Sequence, residues 1–320
     1  MTIRAFDLFC GAGGSSCGAS QAGVRIVGGA DLWERAADTF VRNFPDARVY
    51  QKKIETLSPT TVRKEVGPVE LLLASPECTN HSVAKGNAPR SELSRRTAFQ
   101  VIRFAKAWKP RWVIVENVVS MQRWDAYDEW LTSLHRLDYH TTELKLNAED
   151  FGVPQSRRRL FVVADRDREP VLPVARDKKT VTVKDILYRG PTMNGYNYGL
   201  RPLFGAGRAK RTLQRAERAI KAIGANQPFL IVYYGSDAAG GWQTLDRPLR
   251  TITTLDRFAL VEPHGDGHRM RMLQPPELAA AMGFPKDYNW PESTRREQIK
   301  LIGNAVSPPV MRTIVEALTS

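Results

Sequence analysis

Two rhythms of apolar and polar positions alternate along the first half of the chain. Short apolar runs at Ile3–Phe9, Val24–Ala30, Glu70–Ala74, Trp112–Val115 and Leu160–Ala164 have the length of buried strands. Between them lie stretches with helical spacing. Ser15–Ala22 is one. Glu34–Asn43 is another, with Ala36, Ala37, Phe40 and Val41 on one side. Glu92–Ala107 offers Leu93, Phe99, Ile102 and Phe104 for burial, and Asp125–Leu137 completes the set. Repeated strand–helix alternation predicts an α/β fold with a doubly wound, mainly parallel sheet and helices on both faces.

The rhythm breaks near Arg166. Arg166–Tyr198 mixes Pro, Gly and charge, Ala206–Ile223 reads as a basic helix, and Phe229–Tyr234 and Phe258–Val261 read as strands on either side of Gly240-Gly241. Helical spacing returns at Pro276–Met282 and Ser307–Leu318. The expected organisation is a catalytic and cofactor-binding domain at 1–168, a smaller domain at 169–270, a hinge at 271–303, and a segment at 304–320 that returns to the first domain.

Composition narrows the class. The chain has 320 residues, 42% hydrophobic and 25% charged, which is ordinary globular usage and argues against wholesale disorder. No apolar run approaches the ~18–20 residues needed to span a bilayer, and Met1-Thr2-Ile3-Arg4 lacks a signal-peptide layout, so a soluble, cytoplasmic protein is expected. Three cysteines, Cys10, Cys17 and Cys78, argue against a disulfide framework, and no spacing of Cys or His suggests a metal. Net charge is +13, which suits a polyanionic partner. From Arg166 to Lys221 there are 14 Lys and Arg against 5 Asp and Glu, interleaved with Tyr188, Tyr196, Tyr198 and Phe204; that mixture suits nucleic acid better than a membrane.

Five segments can carry chemistry. Phe6-Asp7-Leu8-Phe9-Cys10-Gly11-Ala12-Gly13-Gly14 runs from a strand into a Gly-rich turn, with Asp31 after the next strand. Such a turn can approach a nucleotide-like ligand or simply connect two elements. Ser75-Pro76-Glu77-Cys78-Thr79 puts a thiol at a strand's carboxyl end, a position open to chemistry but equally compatible with a buried inert cysteine. Val115-Glu116-Asn117-Val118 puts a carboxyl group at the same rim, where desolvation would raise its pKa and let it donate a proton; a surface ion pair is the plainer alternative. In Gln155-Ser156-Arg157-Arg158-Arg159, strand alternation sends Arg157 and Arg159 to one face, towards a ligand or towards solvent. Ile302-Gly303-Asn304-Ala305-Val306-Ser307-Pro308-Pro309 precedes the last helix.

In order and spacing these five segments resemble the DNA (cytosine-5) methyltransferases of the bacterial and phage modification type. The likeness runs from Phe6 to Val306, the middle domain excepted. It implies an S-adenosylmethionine-dependent enzyme with a Rossmann-like fold, no metal and a target-recognition domain. It implies that Phe9, Gly11, Gly13, Gly14, Asp31, Leu32, Ile54, Asn304 and Val306 hold the cofactor, with Asp31 on the ribose hydroxyls and Leu32 against the adenine. Cys78 would attack C6 of a cytosine flipped out of duplex DNA, Glu116 would meet N3 and the exocyclic amine, Arg159 would meet O2, and Arg157 would support the site. Ser82, Lys85 and Arg90, with His81, would close over the DNA.

Three positions depart from the family pattern. Glu77 and Thr79 flank Cys78 where most members have Pro and Gln, and Glu77 is expected to point away from the sulfur or pair with a base. Lys53-Ile54 stands where an Asp often reads the adenine amine. Trp33 lies one place beyond Leu32 and competes with it for the adenine. The expected partner is double-stranded DNA, read by a monomer, with a cognate restriction endonuclease as a companion. An RNA cytosine-5 methyltransferase and a catalytically silent DNA-binding relative are the alternatives.

Overall fold

The computed structural model describes residues 2–76, 97–175, 180–188, 190, 192–193, 195–205, 207–235, 240–265 and 267–320. The main sheet has seven strands: β1 (Arg4–Leu8), β2 (Arg25–Asp31), β3 (Arg48–Gln51), β4 (Leu71–Ala74), β5 (Trp112–Asn117), β6 (His140–Asn147) and β7 (Arg158–Asp165). Their order is β3-β2-β1-β4-β5-β7-β6. β7 runs antiparallel to both its neighbours and the other pairs are parallel, which agrees with a mainly parallel, doubly wound sheet.

Helices α1 (Gly14–Gln21), α2 (Glu34–Asn43), α3 (Pro59–Val66), α4 (Thr97–Trp108) and α5 (Tyr127–His135) connect these strands. The central strands are apolar on both sides because both faces are covered. Phe6, Leu8, Leu72, Val113 and Val115 pack on one face with Phe104, Trp108 and Trp130. Ala5, Leu71, Leu73, Ile114 and Val163 pack on the other with Met311, Ile314, Val315 and Leu318 of the last helix. That helix thus returns to the first layer.

Several details differ from the pattern read in the sequence. β3 and β6 are edge strands with half-exposed, polar-rich sequences and gave no apolar run to detect. α3 begins at Pro59, capped by the Ser58 hydroxyl, which accepts from Thr61 N at 3.3 Å. In α2 the fourth expected core position fails: Val41 is 46% exposed, and Thr39 is buried instead, its hydroxyl donating to Arg35 O at 2.6 Å. The Glu92–Arg96 end of the expected fourth helix lies outside the described residues.

The second part of the chain builds a smaller antiparallel sheet. After a short hairpin, β8 (Thr192–Met193) and β9 (Tyr196–Asn197), come β10 (Arg201–Pro202), helix α6 (Lys210–Ile223), β11 (Phe229–Val232), β12 (Trp242–Thr244), β13 (Phe258–His264) and β14 (Gly267–Met272). The strand order is β10-β14-β13-β11-β12. Strand alternation gives this sheet two buried faces. Leu230, Val232, Phe258 and Leu260 pack with Ile299, Ile302 and Ala305. Phe229, Ile231, Ala259 and Val261 pack with Ala216 and Ala219 of α6. Helices α7 (Pro275–Ala281), α8 (Arg295–Asn304) and α9 (Pro308–Thr319) lead back to the first sheet.

Candidate active site

β1 and β4 are neighbours, while the chain leaves β1 towards β2 and β3 on the other side. A ligand crevice belongs at the carboxyl ends of strands at such a switch point. A cavity of about 650 Å³ occupies it, within the usual range for small-molecule sites. Its wall takes Phe9 and Gly11 from the β1 turn, Asp31 and Leu32 from the end of β2, and Ile54 after β3. Ser75 and Pro76 follow β4, Glu116 ends β5, and Asn304 and Val306 come from the returning segment. One space therefore joins the expected donor side to the expected base side.

The β1 turn is held by specific bonds. Cys10 N donates to Ala30 O at 3.1 Å, and Gly13 N to Cys10 O at 2.8 Å. Phe9 adopts φ 58°, a left-handed conformation rare for a bulky residue, and Gly13 has φ 80°. The Asp31 carboxylate accepts from Gly11 N at 2.9 Å and Trp33 N at 2.8 Å, tying the β1 and β2 turns together. Burial raises its pKa, while the backbone N–H bonds and Lys300 pull it down. Each oxygen keeps a lone pair for a further donor.

Gly13 and Gly14 do not line the cavity. A Cβ on Gly13 would stand 2.8 Å from the Tyr288 hydroxyl, and one on Gly14 would stand 2.1 Å from Val306 O. Their lack of a side chain lets the C-terminal segment press against the first turn of α1, with the Tyr288 hydroxyl donating to Ala12 O. Both Leu32 and Trp33 line the cavity. Leu32 is 56% exposed, whereas Trp33 packs against Ala12, Ala36 and Leu301 with the Lys300 ammonium 4.3 Å from its ring centroid. Ile54 is buried, and its carbonyl accepts from Arg103 at 2.5 Å.

At the base side, Glu116 is buried and its carboxylate lies 3.1 Å from Arg159 Nε. Burial raises its pKa, and the Arg159 and Arg157 charges oppose that shift. Desolvation is the larger effect, so the carboxyl group holds its proton further up the pH scale than a free glutamate. Asn117 Nδ2 donates to Pro76 O at 3.2 Å and its Oδ1 accepts from Val118 N at 2.8 Å, fixing the β4 end against the β5 end.

The Gln-x-Arg-x-Arg motif divides its labour. Arg159 faces Glu116. Arg157 is buried and donates to Ile252 O at 3.0 Å, Gly303 O at 2.9 Å and Ala305 O at 3.1 Å. Those carbonyls flank Asn304 and reach into the second half of the chain. Gln155 does similar work, accepting from Ile252 N at 2.8 Å and donating to Ala281 O at 3.2 Å. Cys78, Ser82, Lys85 and Arg90, with Glu77, Thr79 and His81, lie outside the described residues. Sequence reasoning missed Lys300 and Leu301 in the cavity wall. The signal was present: Thr294 and Glu297 form a capping box that starts α8 and brings Lys300, Leu301 and Asn304 onto one side.

The Type II methyltransferase M.HgiDI of Herpetosiphon aurantiacus is 28% identical over 312 residues, covering 95% of this chain and 90% of its own. Among solved structures, a candidate DNA modification methyltransferase encoded within an E. coli prophage superposes with a TM-score of 0.71 at 20% identity over 99% of both chains. A mutant DNMT2 of Spodoptera frugiperda superposes with a TM-score of 0.69 at 18% identity over 100% of both. At those identities the structural likeness speaks for the fold. The model of the C-5 cytosine-specific DNA methylase family matches residues 3–320, and the chain belongs to this family of DNA (cytosine-5) methyltransferases.

Proposed function

We propose that the protein transfers a methyl group from S-adenosylmethionine to C5 of a flipped-out cytosine within a specific duplex DNA sequence, through a covalent bond between Cys78 and C6. The observation that carries this reading is the cavity that runs from Asp31 to Glu116, whose carboxylate pairs with Arg159. Its residues fit the cofactor. Asp31 offers carboxylate oxygens for ribose hydroxyls, Phe9, Leu32 and Ile54 offer apolar surface for the adenine, and Asn304 and Val306 close the far wall. When bound, the cofactor supplies an electrophilic methyl group on a sulfonium.

The side chains supply the rest. Cytosine C5 is a poor nucleophile. The Cys78 thiolate adds to C6, the C5–C6 double bond opens, and electron density reaches C5. Negative charge develops on N3 and O2 during that attack. Glu116, whose hold on a proton burial strengthens, donates to N3, and the Arg159 guanidinium stabilises O2. C5 takes the methyl group and loses its proton to a base. The C5–C6 double bond then re-forms as the thiolate leaves. Glu116 is buried at 7% exposure, so the base must leave the helical stack to reach it, at a cost of a few kcal/mol.

Residues 169–270 form the target-reading unit, which reads the reacting segment with the side that faces the cavity, and 271–303 form the hinge. The protein works as a monomer. The Type II designation of M.HgiDI supports a cognate restriction endonuclease as its companion. Bisulfite sequencing of plasmid DNA from a host expressing the chain tests activity, product and target together. Protected cytosines in one sequence context are expected. Unprotected DNA alongside methylated tRNA would move the substrate to RNA, and no methylation of either would mark a silent DNA-binding relative.

A further inference from the structure

Helix α6 turns its charge away from the cavity. Its apolar positions, with Ala216 and Ala219 at the centre, pack on the outer face of the second sheet. The opposite face of that sheet packs with Ile302 and Ala305, beside the cavity wall. The solvent side of α6 therefore stands about a helix diameter, ~10–12 Å, beyond the sheet on the side remote from the active site. That side presents Lys210, Arg211 and Lys221, all exposed, with Arg218 beside them donating from Nε to Gly240 O at 3.2 Å; the carboxylate of the helix itself is Glu217. From Lys210 to Lys221 the stripe is ~16 Å long at 1.5 Å per residue.

The helix itself does not compensate Lys210 and Arg211. No acidic residue stands in the first turn of α6 and no side chain caps it, yet Lys210 and Arg211 crowd the end of the helix dipole that repels cations. An anion seated there would relieve both deficits. A membrane surface is disfavoured because the apolar face needed for insertion is already spent on the second sheet. A DNA substrate extends well beyond the cavity, and its flanking segments are present at high effective concentration.

We infer that the outer stripe of α6 is a second DNA surface, which binds the phosphates of a duplex segment other than the one whose cytosine enters the cavity. The inference rests on the reading of the cavity as the place where the reacting segment binds. The two segments can be distant parts of one molecule, so the stripe would hold the enzyme on long DNA between encounters with target sites.

The test uses the full chain and a variant carrying Lys210→Gln, Arg211→Gln and Lys221→Gln, all at exposed positions where Gln keeps helix propensity. Titration with short random-sequence duplexes, followed by sedimentation, should show two duplexes per wild-type chain and one per variant chain. Methyl transfer to the short duplexes should be the same for both. On plasmid-length DNA the slope of log affinity against log salt should fall by roughly 2–3 in the variant. Equal stoichiometry in the two proteins would overturn the inference, as would loss of transfer to short duplexes, which would place the stripe on the reacting segment. Tighter binding of the stripe to tRNA or to phosphatidylserine vesicles than to duplex DNA would overturn it in favour of those partners. Absence of methyl transfer by the wild type would count against the proposed activity alone, because the stoichiometry is read without turnover.

Discussion

Replacing Arg157 with Ala should disturb the cofactor wall more than the base side. The guanidinium satisfies three backbone carbonyls, Ile252 O, Gly303 O and Ala305 O, at 2.9–3.1 Å, and the side chain is buried. Each buried acceptor left without a donor costs about 1–3 kcal/mol. Relaxation and water entry offset part of that sum, so the expected destabilisation is about 3–5 kcal/mol, the range for breaking a buried charged cluster. Gly303 and Ala305 flank Asn304, a wall residue of the cavity. Loss of their anchor should weaken S-adenosylhomocysteine binding at least tenfold, which is ~1.4 kcal/mol. Urea unfolding measures the first effect and isothermal titration calorimetry the second. Arg157→Lys, whose single ammonium cannot span all three carbonyls, should fall between the wild type and Ala, and it carries the test if the Ala variant does not fold. Stability within about 0.5 kcal/mol of the wild type, with unchanged product affinity, would refute the clamp.

Other outcomes follow from the same geometry. Glu116→Gln keeps shape but cannot supply a proton, so single-turnover methyl transfer should drop roughly 100-fold or more while DNA affinity persists; an unchanged rate would remove Glu116 from the chemistry. In the wild type the rate should decline as pH rises through the raised Glu116 pKa, because the donating form is lost. Asp7 is fully buried beside the Ser16 hydroxyl at 2.8 Å, and burial pushes its pKa up to about 7. Between the unfolded value of ~3.9 and 7 the folded chain keeps a proton the unfolded chain has lost, so stability should fall by about 4 kcal/mol as pH rises across that window. Asp7→Asn should flatten that slope, and parallel melting profiles for the two proteins would contradict the assignment. Gly14→Ala brings a Cβ to 2.1 Å from Val306 O, so it should cost about 1–3 kcal/mol in stability and weaken S-adenosylhomocysteine binding; calorimetry showing neither would mean that Val306 is free to shift.

The interior of the fold was legible because interior strands are continuous apolar runs. β1, β2, β4, β5 and β7 all lie within two residues of the expected boundaries at each end. The edges were not. β6, His140–Asn147, alternates Thr, Glu and Lys with only two leucines, since one side faces solvent. α8 hid behind its charge, although its capping box was readable.

The site shows the same division. Alternation correctly put Arg157 and Arg159 on one side, where both meet the small void beside Glu116. It could not distinguish their tasks. Arg159 works on a neighbouring strand, whereas the carbonyl partners of Arg157 lie 95, 146 and 148 residues away. The role of Gly14 was hidden for a similar reason. A Gly-rich turn after a strand suggests contact with a ligand, but here the close neighbour is the Val306 backbone, which only the returning C-terminal segment brings into place.

Covalent trapping addresses the central claim most directly. The wild-type chain is incubated with S-adenosylmethionine and duplex DNA in which 5-fluorocytosine replaces cytosine, then resolved under denaturing conditions. A fluorine at C5 cannot leave as a proton does, so the Cys78–C6 bond should persist after methyl transfer. A denaturation-resistant protein–DNA band with the wild type, absent with Cys78→Ser, is the predicted result. A band that survives Cys78→Ser, or none with a wild type that methylates ordinary DNA, would contradict the covalent mechanism at Cys78.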